Sequence, residues 1–337
     1  MKILVKYNKT LLLVIISFVI TCFLFVPPQA LTWGFYTHKL INKNAIFILP
    51  SEMIGFYKKH MKYIVEHSGD PDRRTRIVPG EAEKHYIDID HYGPNPFDVV
   101  PKRWKDAIAK YTEDTLREYG ISPWNIEKVT YSLTQAFRDE NVDQILYYSA
   151  NLGHYIADIT VPLHNTQYYN GKTSAQHGIH GFWESSIPEL VAKNYTFFVG
   201  KAEYIESPLD RAWEIVKESS FQVDTIYAIY DYMEKNFPVD KKYVFSQRGN
   251  TILKQYSKEY IMEFEKRSNY MVMRKIRTAI HNVGSYWYTA WVNAGQPDLK
   301  KIEDKKYSRA HKKELKKIEK MWKTGKPIGR PNPEENE

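Results

Sequence analysis

The sequence HYIADITVPLH runs from His154 to His164, and HGFWE follows from His180 to Glu184. His154 is four residues before Asp158, and the second stretch repeats this interval between its histidine and glutamate. On an α-helix, that interval places both side chains of a pair on one face, one turn apart. Imidazole and carboxylate groups without a thiolate are typical of catalytic zinc sites, which keep one position open for water. The two stretches therefore predict a metal-dependent hydrolase built on helices.

The first 32 residues have the pattern of a signal peptide. Basic residues at the start precede residues 11–26, which carry no charge, and two prolines follow. We predict a signal peptide at residues 1–32, a catalytic domain at 33–297, and a basic helical tail with a frayed end at 298–337. Cleavage would export the protein to the periplasm or the extracellular space. An uncleaved leader would instead anchor the protein, since about 20 apolar residues span a bilayer.

The composition of the chain limits which classes of protein and which reactive groups are possible. The 337 residues are 43% hydrophobic and 15% aromatic, which is enough for a packed core and argues against disorder. The only cysteine, Cys22, lies in the leader, so the mature domain has no disulfide and no cysteine nucleophile or ligand. The formal net charge of +8 favours anionic substrates or surfaces.

Helical periodicity recurs along the chain, whereas alternating runs of β-branched residues are scarce. We predict an all-α fold with one multi-helix domain and no internal repeat. The long polar connections at residues 69–80 and 161–179 are the expected places for functional groups. The predicted helices cover residues 39–49, 51–66, 101–119, 124–139, 142–159, 181–193, 208–219, 220–236, 240–264, 266–293 and 304–323.

The order of the histidines and acids resembles the superfamily of zinc-dependent phospholipases C and fungal single-strand nucleases. That superfamily has an all-helical fold around three zinc ions. Its mature chains begin at a tryptophan that binds zinc through its terminal amine and carbonyl, and Trp33 stands before His38 at the interval of the nuclease branch. The nine positions that resemble the ligands of the family are Trp33, His38, Asp70, His85, His154, Asp158, His164, His180 and Glu184.

The resemblance implies how these ligands are shared. Asp72 competes with Asp70, because both precede Arg73, and we favour Asp70 since it keeps the interval to His85 of the family. Three zinc ions are expected if cleavage makes Trp33 the first residue, and two if it does not. One zinc would be held by Asp70, His85, His154 and Asp158, a second by His164, His180 and Glu184, and a third by Trp33, His38 and Asp158, which bridges two ions.

Two further residues resemble catalytic positions of the family. Arg73 matches an arginine that faces the phosphate or the leaving group, a role that suits a guanidinium fork. Asp88 matches the carboxylate that orients the attacking water. A second interpretation of Asp88 is that it holds the imidazole of a ligand histidine in place.

Different features of the chain resemble branches of the superfamily that act on different substrates. Glu184 at the last ligand position and the lack of cysteines in the mature domain resemble bacterial phospholipases C, whereas the interval from Trp33 to His38 and the presence of Arg73 resemble the nucleases. We predict a phospholipase C, with an extracellular single-strand nuclease or 3′-nucleotidase as the alternative. A non-catalytic metal-binding surface protein is the third hypothesis. The expected partners are an anionic phosphodiester, from a phospholipid head group or single-stranded nucleic acid, and a transient membrane contact, without an obligate protein partner.

Overall fold

The computed structural model describes residues 34–248 and 251–324. The predicted signal peptide, Trp33 and residues 325–337 lie outside this part. The first half of the described chain contains α1 (Phe35–Ala45), α2 (Ser51–Lys59), α3 (Met61–Glu66), α4 (Asp70–Thr75), α5 (Pro96–Val99), α6 (Trp104–Tyr111), α7 (Glu113–Glu118), α8 (Ser122–Arg138) and α9 (Val142–Thr160).

The second half is also mainly helical. A π-helical segment, Phe182–Ser186, joins the short helices Ile179–Gly181 and Ile187–Val191 directly. The elements are α10 (Ile179–Gly181), α11 (Ile187–Val191), α12 (Pro208–Ser220), α13 (Val223–Asn236), α14 (Val239–Lys242), β1 (Tyr243–Arg248), β2 (Thr251–Tyr256), α15 (Lys258–Arg267), α16 (Met271–Asn293) and α17 (Arg309–Thr324). Short 3₁₀ turns lie at Ile46–Ile48, Ala82–Lys84, Ile89–Tyr92, Pro162–Asn165, Ser174–Gln176, Ala192–Asn194 and Leu299–Lys301.

Helix α9 is the central helix, with α1, α3, α8, α12 and α16 packed around it. Every residue from Ser149 to Thr160 is buried, as expected for a helix that is covered on all sides. The side chain of Asn141 caps its start by accepting a hydrogen bond from the Gln144 amide. Pro162 follows its end and disfavours helical backbone in the residue before it. The fold thus holds the second half of α9 rigidly in the interior.

Helix α1 crosses α9 at very short range, and Gly153 makes the crossing possible. A Cβ atom at this position would lie 2.1 Å from Oδ1 of Asn42 on α1. Asn42 itself donates a hydrogen bond from Nδ2 to the Ala150 carbonyl, 3.2 Å away. Glycine removes the side chain that would separate the helices, so the residues following Gly153 meet those of α1 directly.

The prediction of an all-α fold is confirmed. The helix predicted for residues 240–264 is wrong over much of its length, because β1 and β2 form an antiparallel hairpin there, with Tyr243 opposite Tyr256. Both strands are rich in β-branched and aromatic residues, and Gly249 and Asn250 separate them, which is the composition of a two-residue hairpin turn.

Two other predicted helices are divided. The helix predicted for residues 51–66 breaks at His60, and the one predicted for residues 101–119 breaks at Thr112, whose φ of 69° lies in the left-handed region. In the tail, α17 packs against α4. Among the described helices, none is both long enough and apolar enough to cross a membrane.

Candidate metal centre

Four side chains converge where α9 meets α4 and the turn before residue 86. His154 and Asp158 project from the same face of α9, as their spacing predicts, and Nε2 of His154 lies 3.2 Å from Oδ2 of Asp158. Nδ1 of His85 is 2.9 Å from the same carboxylate oxygen and 3.1 Å from His154 Nε2. Asp72 completes the group, with its Oδ1 3.4 Å from His154 Nε2 and 3.7 Å from His85 Nδ1.

His38 joins this group from α1. Its ring stacks on that of His154 with 3.8 Å between the centroids, and its Nε2 lies 3.4 Å from Oδ1 of Asp158. Asp158 therefore faces two sets of ligand groups, one through each carboxylate oxygen. We refer to the five buried residues His38, Asp72, His85, His154 and Asp158 as the central cluster.

A second group, the outer cluster, consists of His164, His180 and Glu184. Oε2 of Glu184 lies 2.9 Å from Nε2 of His180 and 3.4 Å from Nε2 of His164. The two histidine nitrogens are 3.2 Å apart. His180 and Glu184 lie on one helical turn, as predicted, although part of that turn is π-helical. His180 is the most exposed member of either cluster, with 14% of its side chain accessible, so the outer cluster faces solvent.

Two histidines are oriented by backbone carbonyls. Nδ1 of His154 donates to the carbonyl of Ser68, and Nδ1 of His164 donates to the carbonyl of His85, each over 2.8 Å. A carbonyl oxygen accepts only, so the proton of the neutral imidazole is held on Nδ1 and the lone pair of Nε2 points into the cluster. The hydrogen bond to Ser68 carries no sequence signal, and sequence analysis missed it.

A buried network supports His85 from the side away from Asp158. Arg74 donates from Nε and Nη2 to Oε1 of Glu81, which also accepts from the Tyr155 hydroxyl over 2.6 Å. The ring of Tyr155 packs edge-on against His85. Sequence analysis missed this network, because its members come from separate segments that only the fold brings together.

The prediction of Asp70 as a ligand is not supported by its position. Its two carboxylate oxygens bond to Nδ1 of His67 and to the guanidinium of Arg73, away from the histidines of the central cluster. Asp72 takes the place expected for Asp70. The two acids lie on the first turn of α4, two residues apart, so their side chains point to nearly opposite sides of the helix.

Arg73 and Asp88 lie outside both clusters. The guanidinium of Arg73 lies 4.8 Å from the ring centroid of Phe35 and 5.6 Å from that of Trp322, besides its bond to Asp70. Asp88 is buried, and its amide donates to the Tyr119 carbonyl. Burial raises the pKa of the Tyr119 hydroxyl, and the carboxylates of Glu118 and Asp88 raise it further. The catalytic roles of Arg73 and Asp88 stay predictions.

Both clusters contain buried ionisable groups whose pKa values are shifted by their surroundings. Burial opposes the positive charge of His154, but Asp158 and Asp72 outweigh it and raise the pKa of this histidine. Burial also disfavours the charged form of Asp158, yet His154 and His164 hold the pKa of this carboxylate well below its usual range. Around the outer cluster, burial raises the pKa of Glu184 to about 8. Without a metal ion, the charge of Asp158 is therefore balanced by a proton on His154, whereas Glu184 holds a proton of its own at neutral pH.

The donor set fits zinc. The central cluster contains two possible sets of three ligands, and the outer cluster is a third set. Within each set the ligand atoms lie within 4.8 Å of one another, and all are imidazole nitrogens or carboxylate oxygens, which zinc accepts readily. The sets are His38, His154 and Asp158; Asp72, His85 and His154; and His164, His180 and Glu184. Oδ2 of Asp72 is buried without a hydrogen-bond partner in the described part of the chain, as is usual where an ion completes a site. Trp33, the predicted ligand at the terminus, lies outside the described residues.

Comparison with known families agrees with this chemistry. The model of a family described as zinc dependent phospholipase C matches residues 37–270, which is more than half of the chain and contains both clusters. A comparison with curated proteins finds no match. The chain therefore belongs to the zinc-dependent phospholipase C family and is, at the level of that family, a hydrolase of the phosphodiesterase type.

Proposed function

We propose that this protein is an exported phospholipase C that cleaves the bond between glycerol and phosphate in a phospholipid. The observation that carries the proposal is the pair of clusters, a fully buried one and a second with His180 open to solvent. Zinc bound by these groups supplies Lewis acidity, which activates water and offsets the negative charge of a phosphodiester. We propose up to three ions, the third depending on Trp33 at the mature terminus.

We assign different roles to the two clusters. The central cluster has two buried carboxylates, Asp72 and Asp158, and holds positive charge firmly. The outer cluster has one carboxylate, Glu184, so it leaves more net positive charge for an anionic substrate. Since His180 is the accessible member, we place the phosphate of the substrate on its side of the centre. Carbonyl hydrogen bonds to His154 and His164 fix both imidazoles before substrate binds.

Export follows from the leader pattern of residues 1–32. A substrate outside the cytoplasm agrees with a domain that has no cysteine and needs no reducing environment. Cleavage directly before Trp33 would also create the terminal amine that the third ion requires. N-terminal sequencing of the protein recovered from the medium or the periplasm tests this proposal; a chain beginning before residue 33 would limit the ions to two.

Hydrolysis by the purified protein tests the activity. Phosphatidylcholine and single-stranded DNA are offered separately, with and without EDTA. We expect release of phosphocholine that EDTA abolishes and zinc restores. His164→Ala should lose this activity by at least about a hundredfold, as expected for the loss of a metal ligand, whereas His177→Ala, an exposed histidine in the same loop outside both clusters, should retain it.

The same assay examines the second candidate function. The interval from Trp33 to His38 favours a single-strand nuclease, and DNA cleavage that depends on zinc and His164, without phosphocholine release, would replace the phospholipase proposal. If neither substrate reacts and His164→Ala alters no activity on any phosphodiester offered, the protein binds metal without catalysis and the proposed function is wrong.

A further inference from the structure

The hairpin of β1 and β2 exposes large apolar side chains. Phe245 and Ile252 are each 72% exposed. Phe245 stands opposite Lys254 in the antiparallel register, and Ile252 is two residues from that lysine, so both apolar side chains lie on one face of the hairpin. A two-stranded hairpin has little stability of its own, and exposing such residues on it is unfavourable unless another apolar phase covers them.

The charge around the hairpin indicates which kind of apolar surface would cover these side chains. Residues 239–258 contain five basic residues and one acid, Asp240, and of the five only Lys242 is an ion-pair partner of Glu234 in the described part of the chain. Lys254 is exposed and extends over the ring of Tyr243, with 3.8 Å between its Nζ and the ring centroid. Exposed apolar residues bordered by lysine and tyrosine are typical of segments that bind an anionic lipid interface. A second copy of the chain is a poorer occupant, because two hairpins would bring like charges together.

The base of the hairpin packs against the helical turn that carries two residues of the outer cluster. The ring of Tyr256 lies 4.4 Å from that of Phe182, centroid to centroid. Phe182 stands between His180 and Glu184 in the chain and is itself fully buried, also contacting Tyr260. A surface that binds the hairpin is therefore connected, through two packed rings, to the turn that carries the outer cluster.

We propose that this hairpin docks the protein on anionic phospholipid bilayers by inserting Phe245 and Ile252 into the interface. The proposal deepens the proposed function, since it assigns the surface by which a phospholipase would reach lipid that is packed in a membrane. The lysines attract the bilayer electrostatically, and the apolar side chains then leave water for the acyl boundary.

Vesicle binding tests the proposal. Flotation is measured with vesicles of phosphatidylcholine and phosphatidylserine, in the His164→Ala background so that the lipid stays intact. We expect Phe245→Asp with Ile252→Asp to weaken binding at least tenfold. The matched control is Phe198→Asp with Phe221→Asp, which places the same two charges at other exposed phenyl groups, 83% and 69% accessible, and should leave binding unchanged. Phe245→Trp should shift its fluorescence to the blue when vesicles are added.

A soluble substrate separates the two proposals. With the catalytic residues intact, hydrolysis of monomeric short-chain phosphatidylcholine should be the same with and without the two hairpin substitutions. If the short-chain lipid is hydrolysed but the hairpin variant binds vesicles as the unaltered protein does, docking is overturned and the proposed function stands. If no lipid is hydrolysed but binding depends on the hairpin, docking stands and the activity fails. A dimer that the substitutions dissociate, without any change in vesicle binding, would also overturn docking.

Discussion

The imidazole rings of His38 and His154 stack with their centroids 3.8 Å apart, although α1 and α9 contribute them from distant parts of the chain. This contact brings one oxygen of Asp158 within reach of His38 and leaves the other for His85. It depends on the close crossing of the two helices at Gly153, one residue before His154. The ligand geometry is therefore set by helix packing as much as by the ligands themselves.

Gly153→Ala should disturb both stability and metal binding. The added methyl group would lie 2.1 Å from the buried Oδ1 of Asn42, so α1 must move away from α9 and carry His38 with it. We expect a loss of about 1–3 kcal/mol in the free energy of unfolding, typical of overpacking, together with a lower zinc content. Thermal unfolding and elemental analysis measure the two effects.

Gly181→Ala is the matched control for that substitution. Gly181 lies beside His180 on a ligand-bearing turn, but within residues 34–248 and 251–324 a Cβ added there would meet no atom of another segment within 4 Å. We expect unchanged zinc content and an equal or slightly higher melting temperature, because alanine favours helix. Equal effects of the two substitutions would show that the helix crossing does not position His38.

Asp72→Asn and Asp70→Asn should separate the two candidate acids. Asp72 lies among the histidines of the central cluster, whereas Asp70 bonds to His67 and Arg73. We expect Asp72→Asn to lose at least one equivalent of zinc and to lower kcat by about a hundredfold or more, since a carboxylate ligand becomes a neutral amide. Asp70→Asn should keep its zinc. The reverse result, measured by elemental analysis, would restore the original prediction of Asp70.

This choice marks the limit of what the sequence predicts about the site. Intervals of four on a helix place His154 with Asp158, and His180 with Glu184, and the structure has both pairs together. The position of Asp72 could not be predicted in this way, because an irregular segment separates α4 from His85. The number of residues in such a segment does not determine which side chain of α4 points toward His85. Only the orientation of α4 against α9 decides which acid faces inward.

The fold shows a similar limit. Long periodic segments such as α8, α9 and α16 are close to their predicted positions, because their apolar faces are buried by many neighbours. The hairpin at residues 243–256 was predicted as helix, although Gly249 and Asn250 carry a turn signal. The segments before and after the hairpin are strongly helical, and the prediction assumes that their helical periodicity continues through it. Because apolar residues of the hairpin are exposed, its sequence lacks the regular alternation of apolar and polar residues that predicts a half-buried strand.

Removal of metal should destabilise the protein strongly. Without a cation, the carboxylates of Asp72, Asp158 and Glu184 stay buried beside one another and must be balanced by protons. Binding of zinc to the folded state alone stabilises it by about 4 kcal/mol when free zinc is a thousand times the dissociation constant. We expect calorimetry to show a lower melting temperature in EDTA, restored by added zinc. Identical melting curves would mean that no ion contributes to folding.

The stability of the protein should also depend on Lys275. This residue of α16 is 5% exposed, and its ammonium group donates to Oγ of Ser219 over 3.0 Å. Burial lowers its pKa to about 8, from 10.5 in the unfolded chain. Between these values the unfolded chain binds the proton and the folded protein does not, so the free energy of unfolding rises with pH in that interval.

Lys275→Met should remove this dependence. We expect the variant to be more stable at pH 7 by roughly 1–3 kcal/mol, because the cost of a buried charge disappears, and to show a flatter stability profile between pH 8 and 10.5. Denaturant unfolding at several pH values measures the difference between the two proteins. Lys105→Met, at an exposed position, is the control and should follow the original protein. A less stable Lys275→Met variant at pH 7 would show that its hydrogen bonds outweigh the burial of charge.

Arg73 and Trp322 should be energetically coupled. The guanidinium of Arg73 lies between the rings of Phe35 and Trp322, which connects the start of α1 to the tail helix α17. We expect a double-mutant cycle of Arg73→Met and Trp322→Leu to give a coupling of about 0.5–1 kcal/mol in the free energy of unfolding, as for a cation over an aromatic face. If Arg73 instead binds the phosphate of the substrate, Arg73→Met will reduce kcat/KM far more than Trp322→Leu does, and the coupling in stability will be near zero.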